Sequence, residues 1–260
     1  MIKFILPTLI IMLMAFGGYS ARLLTKSGMF AAMIVGFIVY FSIGIKGFIL
    51  MGVFFISSSV WSKYKRMQKN KIEEKHAKGS RRDMLQVFAN GGMASLACLI
   101  YIVSKDPLWI IVYCSAIACS NSDTWASEIG SLSRNSPIYV RNFRKVEPGT
   151  SGAVSMLGTF AAFCGALLIA VISYLLFHLT VLTASVILIF GFLGNVIDTI
   201  LGAFFQARYS CIQCGLSTEK TVHCGKKTRI EEGFTWLNND MVNFLASFAA
   251  AFFTYLFYKI

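Results

Sequence analysis

Long apolar runs alternate with short polar stretches along most of this chain. Met1–Tyr19 is apolar apart from Lys3. It has the positive start and hydrophobic middle of a signal peptide, but no clear Ala-x-Ala site follows, which favours a first membrane span. Gly28–Ile45 and Gly47–Trp61 predict a second and a third span, with only Lys46 between them. Both stand at the low end of the roughly 17–25 residues that a crossing helix needs, so tilted or partly re-entrant segments fit them too. Leu85–Val103 predicts a fourth span, Leu108–Ala118 begins a fifth, and Gly152–Phe177 and Val181–Gln206 are a sixth and a seventh. An eighth, Asn238–Lys259, opens on Asn238-Asn239-Asp240. The pattern predicts an all-α, polytopic membrane protein of about eight transmembrane helices, read as a single integral membrane domain over 1–260.

Composition agrees. Of 260 residues, 56% are hydrophobic and only 14% charged, with a mean hydropathy of +0.66. A soluble domain of this size carries about a quarter charged residues. The net charge of +12 reports orientation before it reports a partner. The basic residues sit in short loops between spans, which argues against nucleic acid. Alternating the spans puts twenty of the twenty-four Lys/Arg on one side. That side is expected to be cytoplasmic, with both termini outside. It takes in the basic loop 62–83, the basic loop 134–147 and the Cys/His loop 208–233. His76 and His178 read as ordinary loop and turn residues.

This parity gathers the candidate chemistry on one face. Asp123 and Glu128 close the fifth span, Asp198 lies toward the inner half of the seventh beside Gly194-Asn195, and Asp240 opens the eighth. Acids in or beside apolar runs are costly in lipid and mark function by default. Each alone has an ordinary reading, as an ion-pair partner or, for Asp240, an N-cap. Together, Asp123, Asp198 and Asp240, with Asn195 and Asn239 nearby, suit Mg²⁺, which takes a few carboxylates and otherwise keeps water and phosphate oxygens. Pro148-Gly149-Thr150-Ser151-Gly152 precedes the sixth span, where a small-residue loop opening a helix presents N–H groups to an anion. It is not a Walker loop, as no Lys-Ser/Thr pair follows the glycines. Arg141, Arg144 and Lys145 make it a stronger phosphate candidate, and Arg81, Arg82 and Asp83 are a second candidate contact.

Of seven cysteines, Cys98, Cys114, Cys119 and Cys164 fall in spans and read as small buried hydrophobes. Cys211, Cys214, His223 and Cys224 follow a C-x₂-C-x₈-H-C pattern that suggests a structural zinc clip resembling a zinc ribbon. The spacing is tight, and ligation by both of the adjacent His223 and Cys224 is left open by it. A disulfide runs against the reducing compartment expected of this loop.

Four segments, SDTWASEIG, PGTSGAVS, GNVIDTILGAFFQ and LNNDMVNFL, resemble in identity and order the integral membrane family once called domain of unknown function 92. That family includes transmembrane protein 19 of animals and the phytyl-phosphate kinase of tocopherol synthesis. It is similar, more distantly, to CTP-using membrane enzymes such as dolichol kinase and CDP-archaeol synthase. The Cys/His loop looks like the bacterial branch, which implies a multi-pass protein of a bacterial cell membrane and a structural role for that loop. The resemblance implies phosphoryl transfer from a nucleoside triphosphate, with CTP favoured, to an isoprenyl monophosphate such as phytyl phosphate. It also implies that Asp123, Asp198 and Asp240 hold Mg²⁺ and triphosphate, that Gly149, Thr150, Ser151 and Gly152 cradle phosphate, and that Asn239 and Asn243 support the metal. Other members can place the eighth-span acid at the position of Asn238, so Asp240 departs from the pattern. A transporter or flippase for an ion or lipid phosphate is the competing class. It should show polar residues in the outer half as well, where this chain has almost none. A zinc-clipped scaffold without catalysis is the third.

Overall fold

The computed structural model describes residues 2–65 and 77–260, and side chains from Ile5 onward. The central part of the basic 62–83 loop, with His76, lies outside the described residues. Eight helices occupy the eight anticipated segments: α1 (Ile2–Ser20), α2 (Lys26–Ile43), α3 (Ile45–Lys63), α4 (Met84–Ser104), α5 (Leu108–Gly130), α6 (Met156–Phe177), α7 (Val181–Phe204) and α8 (Asn239–Lys259). Six of them, α2, α3, α4, α6, α7 and α8, are long and apolar enough to cross a membrane. The apolar part of α1 is shorter, and α5 ends in the polar stretch that carries Asp123 and Glu128.

The helix starts are set by local chemistry. Thr25, Ser155 and Thr180 each accept the backbone N–H three residues ahead, at Gly28, Gly158 and Thr183. Asp83 and Gln86 form a reciprocal capping box at α4, which satisfies two orphan donors at once. Asn238, rather than Asp240, caps α8 by accepting from Met241 N at 3.1 Å. The sixth helix begins at Met156, four residues later than the sequence expectation. Its cap is Ser155, and the residues before it form a strand.

Helix α5 is the axis of the bundle, packed by α3, α4, α6, α7 and α8. Tyr113 through Ser122 are buried without a break, the pattern of a helix enclosed on all sides. Tyr113 Oη donates to the Gly47 carbonyl at 2.7 Å. Asn121 donates to the Gly165 carbonyl at 2.8 Å and accepts from Ser57 at 3.0 Å, tying α3, α5 and α6. Small residues permit the close approach of these helices. A Cβ at Gly165 would stand 3.0 Å from the Asn121 carbonyl and 3.1 Å from Ser122 Cα. Gly165→Leu is therefore expected to cost about 3 kcal/mol or more by overpacking, read as a loss of Tm and of folded yield in detergent. Large apolar side chains such as Phe30, Phe160, Leu175 and Val181 point outward, as a lipid-facing surface requires.

The all-α expectation omits seven short strands found among the described residues of the polar loops. β1 (Ile138–Tyr139) pairs antiparallel with β2 (Ala153–Val154). β3 (Arg208–Ser210) lies between β4 (Ser217–Thr218) and β7 (Arg229–Glu232), and β5 (Val222–His223) pairs with β6 (Lys226–Lys227). At two to four residues each, they have no room for the alternation that reveals a strand in sequence.

Candidate active site

The C-terminal ends of α5 and α7 and the N-terminal ends of α4, α6 and α8 surround a cleft of about 360 Å³ at the basic end of the bundle. Asp123, Glu128, Gly149, Thr150, Ser151, Gly152, Asn195, Asp198, Asn239, Asp240 and Asn243 all line it. Four segments widely separated in sequence thus meet as anticipated.

Within the cleft the acids differ. The carboxyl groups of Asp123 and Asp198 lie close enough to interact directly, and neither forms an ion pair among the described residues. Two carboxyl oxygens so close need a proton or a cation between them. Asn243, with its amide turned to satisfy both neighbours, donates to Asp198 Oδ2 at 3.0 Å and to the Asn239 carbonyl at 3.1 Å. The first-turn carbonyl of α8 thereby aims an amide at an acid of α7. This donor set of two carboxylates open to a wide polar cleft suits a hard cation that keeps part of its water.

Asp240 is placed otherwise. Lys78 forms a short ion pair with it and a second pair with Asp83 at 2.9 Å. Sequence reading grouped Asp240 with Asp123 and Asp198 as a metal ligand, but its charge is engaged by a lysine that the reading missed. Burial opposes the Lys78 charge, but Asp240 and Asp83 outweigh it and hold Lys78 above its ordinary value. Burial likewise works against the Asp83 charge, and the Lys78 hydrogen bond with the helix-start N–H groups holds Asp83 below the carboxylate range. A folded value below the unfolded one contributes stability above the unfolded pKa, lost as pH falls through the folded one. An acid titration of Tm should therefore show a component below about pH 4 that is missing in Asp83→Asn, which retains a capping oxygen.

Glu128 accepts from Ser62 at 2.5 Å, and half-buried Arg82 holds its guanidinium 5.8 and 5.5 Å from the ring centroids of Phe54 and Phe55. Burial pulls Arg82 below its ordinary value and Glu128 opposes the shift; an arginine stays charged regardless. Arg82, Gln86 and Asn90 also line a second, apolar cavity of about 110 Å³ between α1, α2, α3 and α4. The two cavities thus share a polar wall.

The loop 148–152 does not open α6 directly, since β2 and Ser155 stand between. Its own backbone, not a helix end, faces the cleft. Gly149 and Gly152 have φ of +81° and +75°, a region glycine enters freely. Among the described residues the N–H groups of Gly149, Ser151 and Gly152 donate to no protein acceptor. Ser151 Oγ donates to Gln206 at 2.7 Å, and Gln206 donates to Glu219 at 2.8 Å.

Arg141, Arg144 and Lys145 are a correction. They do not line the cleft. All three are exposed, and Arg141 pairs with Glu232 at 2.7 Å, because β1 folds back on β2 and turns the tip of the loop outward. Among the described residues, the cations that line the cleft are Lys78 and Arg82. Sequence analysis names Arg82, with Arg81 and Asp83, as a candidate contact, and the capping box of Asp83 and Gln86 fixes the chain just before α4. Lys78, Gln206 and Glu219 had no such signal. Cys211, Cys214, His223 and Cys224 gather at one point, with one ligand atom from each within 4.8 Å of the others. The backbone N–H of Cys214 and then His223 push the Cys211 thiol down to about 6.

No solved structure matches the chain. Among characterised and uncharacterised relatives, it is 33% identical to an uncharacterized membrane protein, MJ0933, of Methanocaldococcus jannaschii, over 80% of this chain and 85% of that one. It is 28% identical to Protein PGR of Arabidopsis thaliana, over 97% and 95%. It is 26% identical to Protein VTE6, chloroplastic, of the same plant, over 85% and 61%. Residues 9–251 match the family described as Integral membrane protein DUF92. A multi-pass helical bundle, four ordered polar motifs converging on one cleft and this near-complete match agree, and the chain belongs to the integral membrane protein DUF92 family.

Proposed function

We propose that the cleft transfers a phosphoryl group from a nucleoside triphosphate, CTP by family resemblance, to an isoprenyl monophosphate at the cytoplasmic membrane surface. The observation that carries this reading is the meeting of Asp123 and Asp198 in one cleft with a loop in which, among the described residues, the N–H groups of Gly149, Ser151 and Gly152 donate to no protein acceptor. Bound there by Asp123 and Asp198, Mg²⁺ would neutralise triphosphate charge, the chief requirement of phosphoryl transfer. Asn243 orients Asp198. The 149–152 backbone donates to phosphate oxygens, and Lys78 and Arg82 add positive charge. The acceptor is already an anion, so no general base is required.

Arg82 has a particular place in this reading. It stands in the wall between the polar cleft and the apolar cavity, which suits a lipid whose phosphate meets Arg82 while its first isoprene units enter between α1 and α4. Charge-assisted bonds of this kind contribute about 1.5–3 kcal/mol. Arg82→Met should raise KM for the lipid phosphate about 10- to 100-fold and leave KM for the nucleotide within a few-fold.

The test is a Mg²⁺-dependent assay on the purified protein in detergent, with CTP and ATP against phytyl, farnesyl and geranylgeranyl monophosphates. Formation of the diphosphate supports the reading. No product and no nucleotide binding in folded protein would overturn it and favour the transporter.

A further inference from the structure

The loop 206–234 folds in a way its apolar content does not explain. Its strands are two to four residues long, and Ile212, Val222 and Ile230 are exposed at 64, 55 and 42%. Sheets of this size are marginal without a hydrophobic face, and small units of this kind are held by disulfides or metals. At the centre of this one stand Cys211, Cys214, His223 and Cys224.

Their geometry identifies the staple. Zn–S bonds of about 2.3 Å and Zn–N bonds of about 2.0–2.1 Å demand tetrahedral edges of about 3.8 Å between sulfurs and about 3.5 Å between sulfur and nitrogen. Cys214 Sγ and Cys224 Sγ are 3.8 Å apart, and His223 Nδ1 is 3.5 Å from Cys214 Sγ and 3.3 Å from Cys224 Sγ. Two turns present the ligands. In the first, Gly215 at φ +73° closes Cys211–Cys214, with Gly215 N donating to the Cys211 carbonyl at 2.9 Å and Gln213 N to Cys211 Sγ at 3.4 Å. In the second, Cys224 and Gly225 both have positive φ, +51° and +72°, which turns the β5–β6 hairpin tightly. This turn is what lets adjacent His223 and Cys224 face the same point. A non-glycine residue at positive φ is uncommon, and Cys224 has no cap or packing role that asks for it.

We propose that Cys211, Cys214, His223 and Cys224 bind one Zn²⁺ as a structural S₃N centre, and that this centre positions Glu219 at the edge of the cleft. Glu219 follows β4 directly. It accepts from Gln206 at 2.8 Å and from Ala77 N at 3.3 Å, and Gln206 accepts from Ser151 of the 148–152 loop. The chain of bonds runs from the clip to the candidate phosphate loop. Glu219 is a positioning residue here. The zinc assignment does not rest on the phosphoryl-transfer reading, and its test uses no substrate.

The experiment uses the full chain in detergent. Elemental analysis should find one zinc per chain, and Co²⁺ exchange should give thiolate charge-transfer bands with tetrahedral d–d bands. Cys214→Ser and Cys224→Ser should each lower bound zinc at least fivefold. Because those variants could fail to fold, chelation of the wild type is the second measurement. It should raise amide exchange at least tenfold both in 208–232 and in 148–152. Absence of metal from folded wild-type protein, a different native metal, or a disulfide among these cysteines would overturn the zinc site. Exchange that rises in 208–232 and stays unchanged in 148–152 would overturn the positioning role.

Discussion

Asp123→Asn should lower the phosphoryl-transfer rate by about three orders of magnitude, equivalent to ~4 kcal/mol of barrier, while Tm holds or rises. Both halves follow from the same contact. Asp123 and Asp198 interact side chain to side chain where both line the cleft. Replacing one carboxylate by an isosteric amide removes a like-charge repulsion and supplies an N–H that Asp198 can accept. The fold therefore loses nothing, whereas a cation held between two anions loses half its charge complement. Asp198→Asn should behave alike. Asp240→Asn should cost far less, on the order of tenfold, because its charge is engaged by Lys78 and not by the facing acid. Equal losses at Asp123 and Asp240 would sink the distinction. A fall in Tm of Asp123→Asn parallel to its rate would assign the residue a structural role. The measurement is kcat with Mg²⁺ titrated at saturating substrates, beside a thermal melt.

Gly152→Val should destabilise by about 3 kcal/mol or more and abolish activity at any substrate concentration. Two costs add. A β-branched residue at φ +75° carries about 1–2 kcal/mol of backbone strain. The new side chain would also begin inside the backbone of Ala203 at the end of α7, a clash that no rotamer relieves. Gly225→Ala is the control: φ is +72° but the space around it is open, so it should cost only the strain. The loop and α7 fit one another from both sides, since a Cβ at Gly202 would stand 2.8 Å from Ser151 Oγ. The loop would have to leave the cleft to accept valine. Chemical denaturation of the two variants, with activity at matched folded fraction, separates a displaced loop from a merely less stable one.

Residue pattern determined more of this protein than is usual because a bilayer restricts it so strongly. Apolar runs of helix length cannot do much else in lipid. Their eight positions, and the convergence of the acids on the side that holds the basic loops, follow from period and parity. Convergence itself was legible because alternating spans put the ends of the fifth and seventh helices beside the starts of the sixth and eighth. Contact was not. That Asp123 meets Asp198 while Asp240 meets Lys78 depends on the rotation of α5, α7 and α8 about their own axes, which is set by the glycine and alanine surfaces they pack on. The outward turn of Arg141, Arg144 and Lys145 was equally hidden. It depends on a two-residue ladder between β1 and β2 too short to leave a period in the sequence. In the Cys/His loop the spacing named four candidate ligands, but whether His223 and Cys224 could both face one point was decided by positive φ at Cys224 and Gly225. Sequence thus settles what is periodic: the positions of the spans and the side on which their polar ends gather. Tertiary packing decides which charges become neighbours, because a pairwise contact across helices has no signature in either chain segment alone.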